Sequence, residues 1–300
     1  MEEIFRGIYR ITYKLNQGDV PDVNSYLIKD LGILIDGGPQ YPEAYQKLLR
    51  ELISVNMTIE DINYVILTHH HLDHMGMINF LPSSVNVVAD KSVKFYSQKE
   101  YKNSVNDFIR QIRVPYEYKS SISDILMDEF LPIDWEKHKL ISYSEFNQSN
   151  FKFIVSKGHS SLDTIILFNE KFIFTGDILI PKIFFNCLID ISPEDSKPSS
   201  FKRKGYLDEL ETLKKLEFEF LLPGHHDILN KVSALKHIAI TINRMNRTSK
   251  KVSSAIKKSN SFEDVLKQVY GQFLKYNIFL PFSDVHSILE QMDILDFYLL

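Results

Sequence analysis

With 300 residues, 44% hydrophobic and 25% charged side chains and a net charge of −4, the chain has the composition of a globular protein large enough to bury a substantial core. Its sequence pI of about 6.2 supplies no global field for nucleic acid, and its one cysteine, Cys187, excludes an internal disulfide and fits a reducing compartment. No apolar run approaches the roughly 20 residues that span a bilayer, and Met1-Glu2-Glu3-Ile4 lacks the basic and apolar regions of a signal peptide, so the expected setting is cytoplasmic, with no membrane partner.

In chain order, Ile4–Lys14 and Val23–Ile28 predict strands joined by a turn at Asn16-Gln17-Gly18-Asp19. Ile33-Leu34-Ile35 predicts a buried strand that ends in Asp36-Gly37-Gly38. A carboxylate there suits a partner for a metal-bound imidazole as readily as it suits a plain Asp-Gly turn. Ala44, Leu48, Leu49 and Leu52 fall at helical spacing within Pro42–Val55, and Tyr64–Leu67 returns to a short buried strand. Strands alternating with helices indicate an α/β core.

The next stretch, Thr68-His69-His70-His71-Leu72-Asp73-His74-Met75-Gly76, is the one the chain is organised around. His69 and His71 lie two apart, so in extended backbone they point the same way. Asp73 and His74 follow directly, and Gly76 permits a tight turn into a helix over Met75–Phe80. Three imidazoles and a carboxylate at a strand end form a cage of borderline-soft nitrogen and oxygen ligands.

After a strand at Val85–Ala89, helical patterns at Val93–Tyr101, Val105–Arg113 and Ile122–Phe130 predict an insertion over about residues 91–137. Its aromatic residues Phe95, Tyr96, Tyr101, Phe108, Tyr116 and Tyr118 either roof a pocket or, the weightier reading, pack the insertion onto the body. The sheet resumes at Phe151–Val155, which leads into Gly158-His159-Ser160. Thr164–Phe168 and Lys171–Thr175 read as a hairpin ending in Gly176-Asp177. A helix at Ser199–Leu216 precedes a strand at Phe218–Leu222, which ends in Pro223-Gly224-His225-His226. The remainder, from Lys231, reads as helical throughout. The expected division is therefore a catalytic domain over 1–230 and a helical C-terminal subdomain over 231–300. Within the latter, Lys231–Lys258 holds eight Lys and Arg and no acidic residue, either a solvated helix face, the weightier reading, or a seat for a phosphate-bearing ligand or RNA.

His159, Asp177 and His225 each repeat the logic of the first cluster, in which a strand and a glycine deliver a ligand-type side chain. With His69, His71, Asp73 and His74 they make seven candidate ligands, enough for two divalent cations, with zinc first and iron or manganese as alternatives. A sensible division puts His69, His71 and His159 on one ion and Asp73, His74 and His225 on the other, bridged by Asp177. His70 and His226 adjoin ligands on the alternate face and, with Asp36, are candidates for the layer behind them or for the pocket edge. Cys187 has no histidine near it in sequence and reads as structural.

Asp36-Gly37-Gly38, the Thr68–Gly76 stretch, Gly158-His159-Ser160, Gly176-Asp177 and Gly224-His225 together resemble the signatures of the metallo-β-lactamase superfamily, in order, over residues 1 to about 230. The resemblance implies an αββα sandwich, two mixed sheets face to face with helices outside and metals at one edge, and it implies the same ligand division. Retention of Asp73-His74 together with a bridging Asp177 is closer to the glyoxalase II-like thioesterases than to the antibiotic-hydrolysing enzymes. The insertion and a helical tail containing His286-Ser287-Ile288-Leu289 are similar to the alkyl-quinolone-pathway acyl-coenzyme A thioesterases. Ser160-Ser161-Leu162-Asp163 departs from the Thr-Pro-Gly-Ser type of turn in many relatives and is expected at the pocket rim.

The expected chemistry is hydrolysis of a thioester, or a related small ester or lactone, by a hydroxide held between two cations, with Asp73 orienting it and carrying its proton. Two alternatives stay open, a superfamily endoribonuclease or phosphodiesterase and a metal-bound regulatory binding protein. The expected partner is a small-molecule thioester or ester, and a homodimer is one admissible assembly.

Overall fold

The computed structural model describes residues 1–15, 21–182, 187–200 and 202–299; the turn expected at Asn16–Asp19 lies outside them. Among the described residues one sheet holds β1 (Glu2–Phe5), β2 (Ile8–Tyr13), β3 (Val23–Ile28), β4 (Ile33–Ile35), β5 (Tyr64–Ile66), β6 (Asn86–Val88) and β7 (Leu140–Ile141), side by side in chain order. The second holds β8 (Phe151–Ser156), β9 (Asp163–Phe168), β10 (Phe172–Gly176), β11 (Phe220–Pro223) and β12 (Leu229–Asn230), in the order β12-β11-β10-β9-β8. Strands β1 to β4 are antiparallel and β4 to β7 parallel. In the second sheet only the β10–β11 pair is parallel.

Each central strand is apolar on both faces, which is why these short runs lack the alternation of a half-solvated strand. Ile33, Ile35, Ile66 and Val88 of the first sheet meet Ile166, Phe168, Phe172, Phe174 and Leu222 of the second in one apolar layer. The intervening residues face outward to helices: Leu34, Val65 and Val87 on one side, and Ile165, Ile173 and Leu221 on the other. The result is the expected αββα sandwich.

The helices are α1 (Pro42–Ser54), α2 (Leu72–Met75), α3 (Lys99–Gln111), α4 (Tyr116–Asp128), α5 (Lys202–Lys215), α6 (Lys231–Ala255), α7 (Phe262–Tyr270), α8 (Phe279–Gln291) and α9 (Leu295–Leu299). Parallel neighbours need crossover connections. Here α1 links β4 to β5, α2 with a following 3₁₀ run at Gly76–Phe80 links β5 to β6, and α3 and α4 lie between β6 and β7. All the parallel strands therefore end at one edge of the sandwich. Contacts that join the two sheets near that edge include Asn24 N donating to Gly224 O at 2.7 Å, Thr164 N donating to Thr68 O at 2.8 Å, and the pairing of Val23 with His225.

Several local expectations change. The single strand over Ile4–Lys14 is a hairpin, because Gly7 adopts φ +76° and reverses the chain between β1 and β2. The helix expected at Met75–Phe80 begins earlier, as the α turn Leu72–Met75, and continues only as 3₁₀. In the insertion the helix break falls at Gln98 rather than after Tyr101, with a 3₁₀ run at Lys91–Ser97 before it. Phe95, Tyr96, Tyr101 and Phe108 are buried in the core while Tyr116 is 82% exposed, so these rings pack the insertion rather than roof a cavity.

The insertion and the C-terminal helices share that packing. Phe108 of α3 contacts Phe282 and His286 of α8, each at 6.4 Å between ring centroids, and Arg113 N donates to Leu299 O at 2.8 Å. A buried ion pair ties α5 to the same helices: Arg203 donates to Asp284 at 2.7 Å and to Met245 O at 2.6 Å. His286 sits in this apolar layer, where burial pulls its pKa down to about 4. A group whose folded pKa lies below its unfolded value of about 6.5 stays neutral in the fold while the unfolded chain takes up protons. Its contribution is therefore full above pH 6.5 and lost as pH falls toward 4, by about 3 kcal/mol. Denaturant unfolding at pH 7 and pH 4.5 is expected to show a smaller pH-dependent loss for His286→Leu than for wild type; equal losses would refute the assignment.

Candidate metal centre

The strand ends deliver their side chains into one cluster. His69, His71 and His159 each offer a nitrogen within 4.8 Å of the others; Asp73, His74 and His225 offer ligand atoms equally close, while His69, His74 and Asp177 join the two groups. His69 Nε2 and His159 Nε2 are both 3.1 Å from His71 Nδ1. His225 Nε2 is 3.3 Å from Asp73 Oδ2 and 3.3 Å from Asp177 Oδ2. Asp177 lies between the groups, with Oδ1 3.4 Å from His74 Nε2 and Oδ2 3.8 Å from His159 Nε2. The imidazoles and Asp177 are buried, whereas the Asp73 side chain keeps 25% exposure and forms the accessible side of the cluster.

Behind the cluster, hydrogen bonds set which nitrogen each ring presents. Asp36, fully buried and at φ +57°, accepts from Thr68 N at 2.7 Å and from Thr68 Oγ1 at 2.8 Å. Its Oδ2 also lies 2.9 Å from His74 Nδ1. A carboxylate only accepts, so His74 carries its proton on Nδ1 and turns Nε2 inward. Since the Thr68 hydroxyl donates to Asp36, it accepts from His69 Nδ1 at 3.0 Å, which turns His69 Nε2 inward as well. His225 Nδ1 is 3.0 Å from the carbonyls of both Pro21 and Asp22, with the same consequence.

The charges divide in the same way. Burial and neighbouring imidazoles pull His69 and His71 well below the usual histidine range. Burial also acts to lower His74 and His225, but the carboxylates outweigh it: Asp73, Asp177 and Asp36 hold His74 well above that range, and Asp177 and Asp73 push His225 up to about 10. Burial acts to raise Asp73 and Asp177, yet the facing imidazoles hold Asp73 at about 2 and Asp177 well below a normal carboxyl group. Such a field favours positive charge at the centre of the cluster. Among the described residues His74 Nε2 is buried with no hydrogen-bond partner, its nearest carboxylate oxygen 3.4 Å away. A Cβ on Gly224 would stand 2.3 Å from Asp177 Oδ1 and 2.6 Å from His74 Cε1, so only glycine leaves this space open. Donor types, spacing and the unpartnered nitrogen all fit divalent cations.

The family model for the metallo-β-lactamase superfamily matches residues 18–225. The chain belongs to this superfamily. It is 25% identical over 285 residues to the probable metallo-hydrolase YqjP of Bacillus subtilis (strain 168), covering 91% of this chain and 88% of that one. Among solved structures it is similar to the metallo-β-lactamase family protein TTHA1429 of Thermus thermophilus, with TM-score 0.66, 17% identity and coverage of 97% and 94%. It is also similar to a β-lactamase domain protein of Burkholderia ambifaria, with TM-score 0.74, 13% identity and coverage of 97% and 88%. These structural likenesses show the fold.

Of the flanking candidates, Asp36 contacts the cluster directly. His70 is buried and stacks on Tyr96 at 3.6 Å between centroids, with Nε2 3.6 Å from Asp190. His226 contributes its backbone: the carbonyl accepts from Asn24 Nδ2 at 2.9 Å. Cys187 is buried and burial pushes its thiol up to about 12, in keeping with a structural residue. Ser160-Ser161-Leu162-Asp163 is buried rather than at a rim. Asp163 accepts from Gly158 N at 3.0 Å and Ser160 N at 2.8 Å and so braces the loop carrying His159.

Four contributors escaped the sequence reading. Thr68 stood beside the histidines, and its hydroxyl was the available signal. Asp190 accepts from Ser161 N at 2.7 Å and from Lys202 Nζ at 3.1 Å, supporting the His159 loop from outside. Glu129 reaches from the insertion to Leu72 N at 3.1 Å; burial, then the charge of Asp73, pushes its carboxyl up to about 8. Asp190, Lys202 and Glu129 lie far along the chain from what they touch, and no local pattern marks them.

Asparagine tolerates the left-handed backbone of position 36 but cannot serve all three of the aspartate's contacts. Asp36→Asn is therefore expected to fold and to bind zinc about 10- to 100-fold more weakly in a chelator competition. Unchanged affinity would show that this carboxylate does not orient the rings.

Proposed function

We propose that this protein is a dinuclear metal-dependent hydrolase that cleaves a thioester, with an acyl-coenzyme A as the favoured substrate class. The observation that carries the reading is the position of Asp177 between the two groups, its carboxylate 3.4 Å from His74, 3.3 Å from His225 and 3.8 Å from His159, where a carboxylate shared between two cations would stand. His69, His71 and His159 would hold one ion, Asp73, His74 and His225 the other, and Asp177 both. Bound there, the ions would supply Lewis acidity and a water acidic enough to ionise near neutral pH.

The remaining steps belong to the chain. Asp73, the most exposed of the carboxylates in the cluster, orients the nucleophile through one oxygen and receives its proton after attack. Asp36 and Thr68 keep the rings oriented so that no reorganisation accompanies the reaction. A thiolate departs with little help from a general acid, so the cluster needs no further donor for this bond. Kinship with a probable metallo-hydrolase supports hydrolysis as the reaction type. The thioester assignment draws on the resemblance to the glyoxalase II-like branch and on α6, where Lys236, Arg247, Lys250 and Lys251 are carried with no acidic residue between them. Such a face suits the phosphates of coenzyme A.

Incubating the zinc-loaded protein with a panel of acyl-coenzyme A thioesters, small esters and lactones, and single-stranded RNA tests the reading. Thioester turnover that falls at least about a hundredfold in Asp177→Ala is the expected result. RNA cleavage with inert thioesters would favour the phosphodiesterase alternative, and full metal loading with no turnover of any substrate would favour a binding role.

A further inference from the structure

The turn that carries Asp73 and His74 has an unusual start. In a helix the N-cap side chain serves the second or third N–H, and the remaining N–H groups of the first turn need acceptors from elsewhere. The N-cap of α2 is His71, with extended backbone (φ −61°, ψ 149°) and no side-chain cap. Its imidazole is committed elsewhere, since Nδ1 lies 3.1 Å from both His69 Nε2 and His159 Nε2. His74 N and Met75 N each donate to His71 O at 3.0 Å, and neither that carbonyl nor the His71 side chain serves the first N–H, that of Leu72. Glu129 Oε2 accepts it at 3.1 Å, from 57 residues further along the chain.

Glu129 is itself firmly held. It follows directly on α4 with helical backbone. Around it, Tyr101 Oη donates to Leu126 O at 2.5 Å and Leu131 N to Tyr96 O at 3.0 Å. Tyr96 and Tyr101 are both fully buried. The insertion thus presents one carboxyl group, on a fixed support, to the first backbone donor of the turn that carries Asp73 and His74.

We infer that Glu129 is a positioning residue that caps the Leu72–Met75 turn from the insertion and so holds Asp73 and His74 in place for one of the two cations. The inference rests on the dinuclear reading for its effect on metal, but the cap itself is a property of the chain. It predicts an asymmetry. Asp73 and His74 ride on the capped turn, whereas His69 and His71 precede it and His159 comes from the loop after β8. Loss of the cap should weaken one ion and spare the other.

Zinc binding by the full-length protein, followed by chelator competition, reads this directly. Wild type is expected to take up two equivalents. Glu129→Ala should keep the first near wild-type affinity and bind the second about 10- to 100-fold more weakly, the usual cost of losing a support behind a metal ligand. Glu129→Gln retains an oxygen acceptor for the Leu72 N–H and should restore the second equivalent. Wild-type binding of both equivalents by Glu129→Ala, or a Gln variant as impaired as the Ala variant, would overturn the inference. Should the Ala variant fail to fold, hydrogen exchange at the Leu72 amide decides the matter in wild type and Glu129→Gln. Protection in both is expected, and fast exchange in folded wild type overturns the cap. Uptake of fewer than two equivalents by wild type would end the dinuclear reading, while the Leu72 amide would still report on the cap.

Discussion

The arrangement of the metal-centre edge hangs on one buried carboxylate, Asp36. At the end of β4 it binds Thr68, two residues beyond β5, through two hydrogen bonds and reaches His74 with the same oxygen that receives the Thr68 hydroxyl. Burying a carboxylate costs several kcal/mol unless its lone pairs are satisfied. The three donors offset that cost only if the ends of β4, β5 and the α2 turn keep their mutual positions. Its left-handed backbone is a further constraint accepted at this position. Orientation of His69 through Thr68 follows from the same contact, so one side chain sets the direction of a ring from each of the two side-chain groups of the cluster.

From that point outward the site is built in layers. Asp163 and Asp190 hold the loop of His159, and Lys202 neutralises Asp190 in a buried pair at 3.1 Å. Backbone carbonyls of Pro21 and Asp22 hold His225. The supports come from both sheets, from α5 and from the insertion, which explains why the cross-sheet contacts at Asn24 and Thr164 matter to the chemistry. If the sheets slid by one residue, His69, His71, Asp73 and His74 would part from His159, Asp177 and His225.

The legible parts of this structure were those in which a short run of sequence contains its own cause. Ile33–Ile35 and Tyr64–Leu67 are apolar on both faces because both faces are covered, and the pattern of a strand end delivering a ligand-type side chain marked Asp36, His69, His159, Asp177 and His225 one by one. Less legible were features decided by neighbours. The two-residue strands β7 and β12 exist only by pairing with β6 and β11. The insertion rings Phe95, Tyr96 and Tyr101 have the composition of a pocket lining and the burial of a core. Ser160–Asp163 has the polarity of a surface turn, yet it is buried because its polar groups are satisfied by one another and by Asp190.

The sequence by itself determined the fold class, the strand ends and the identity of the side chains gathered there, since periodicity, turn residues and ligand chemistry are all local. Only the tertiary structure decided the ring orientations, the placing of Asp177 between the two groups, the joining of insertion and C-terminal helices into one apolar layer, and the reach of Glu129 to Leu72. Those depend on distances between residues tens to hundreds of positions apart, which close when two sheets pack and which no window along the chain contains.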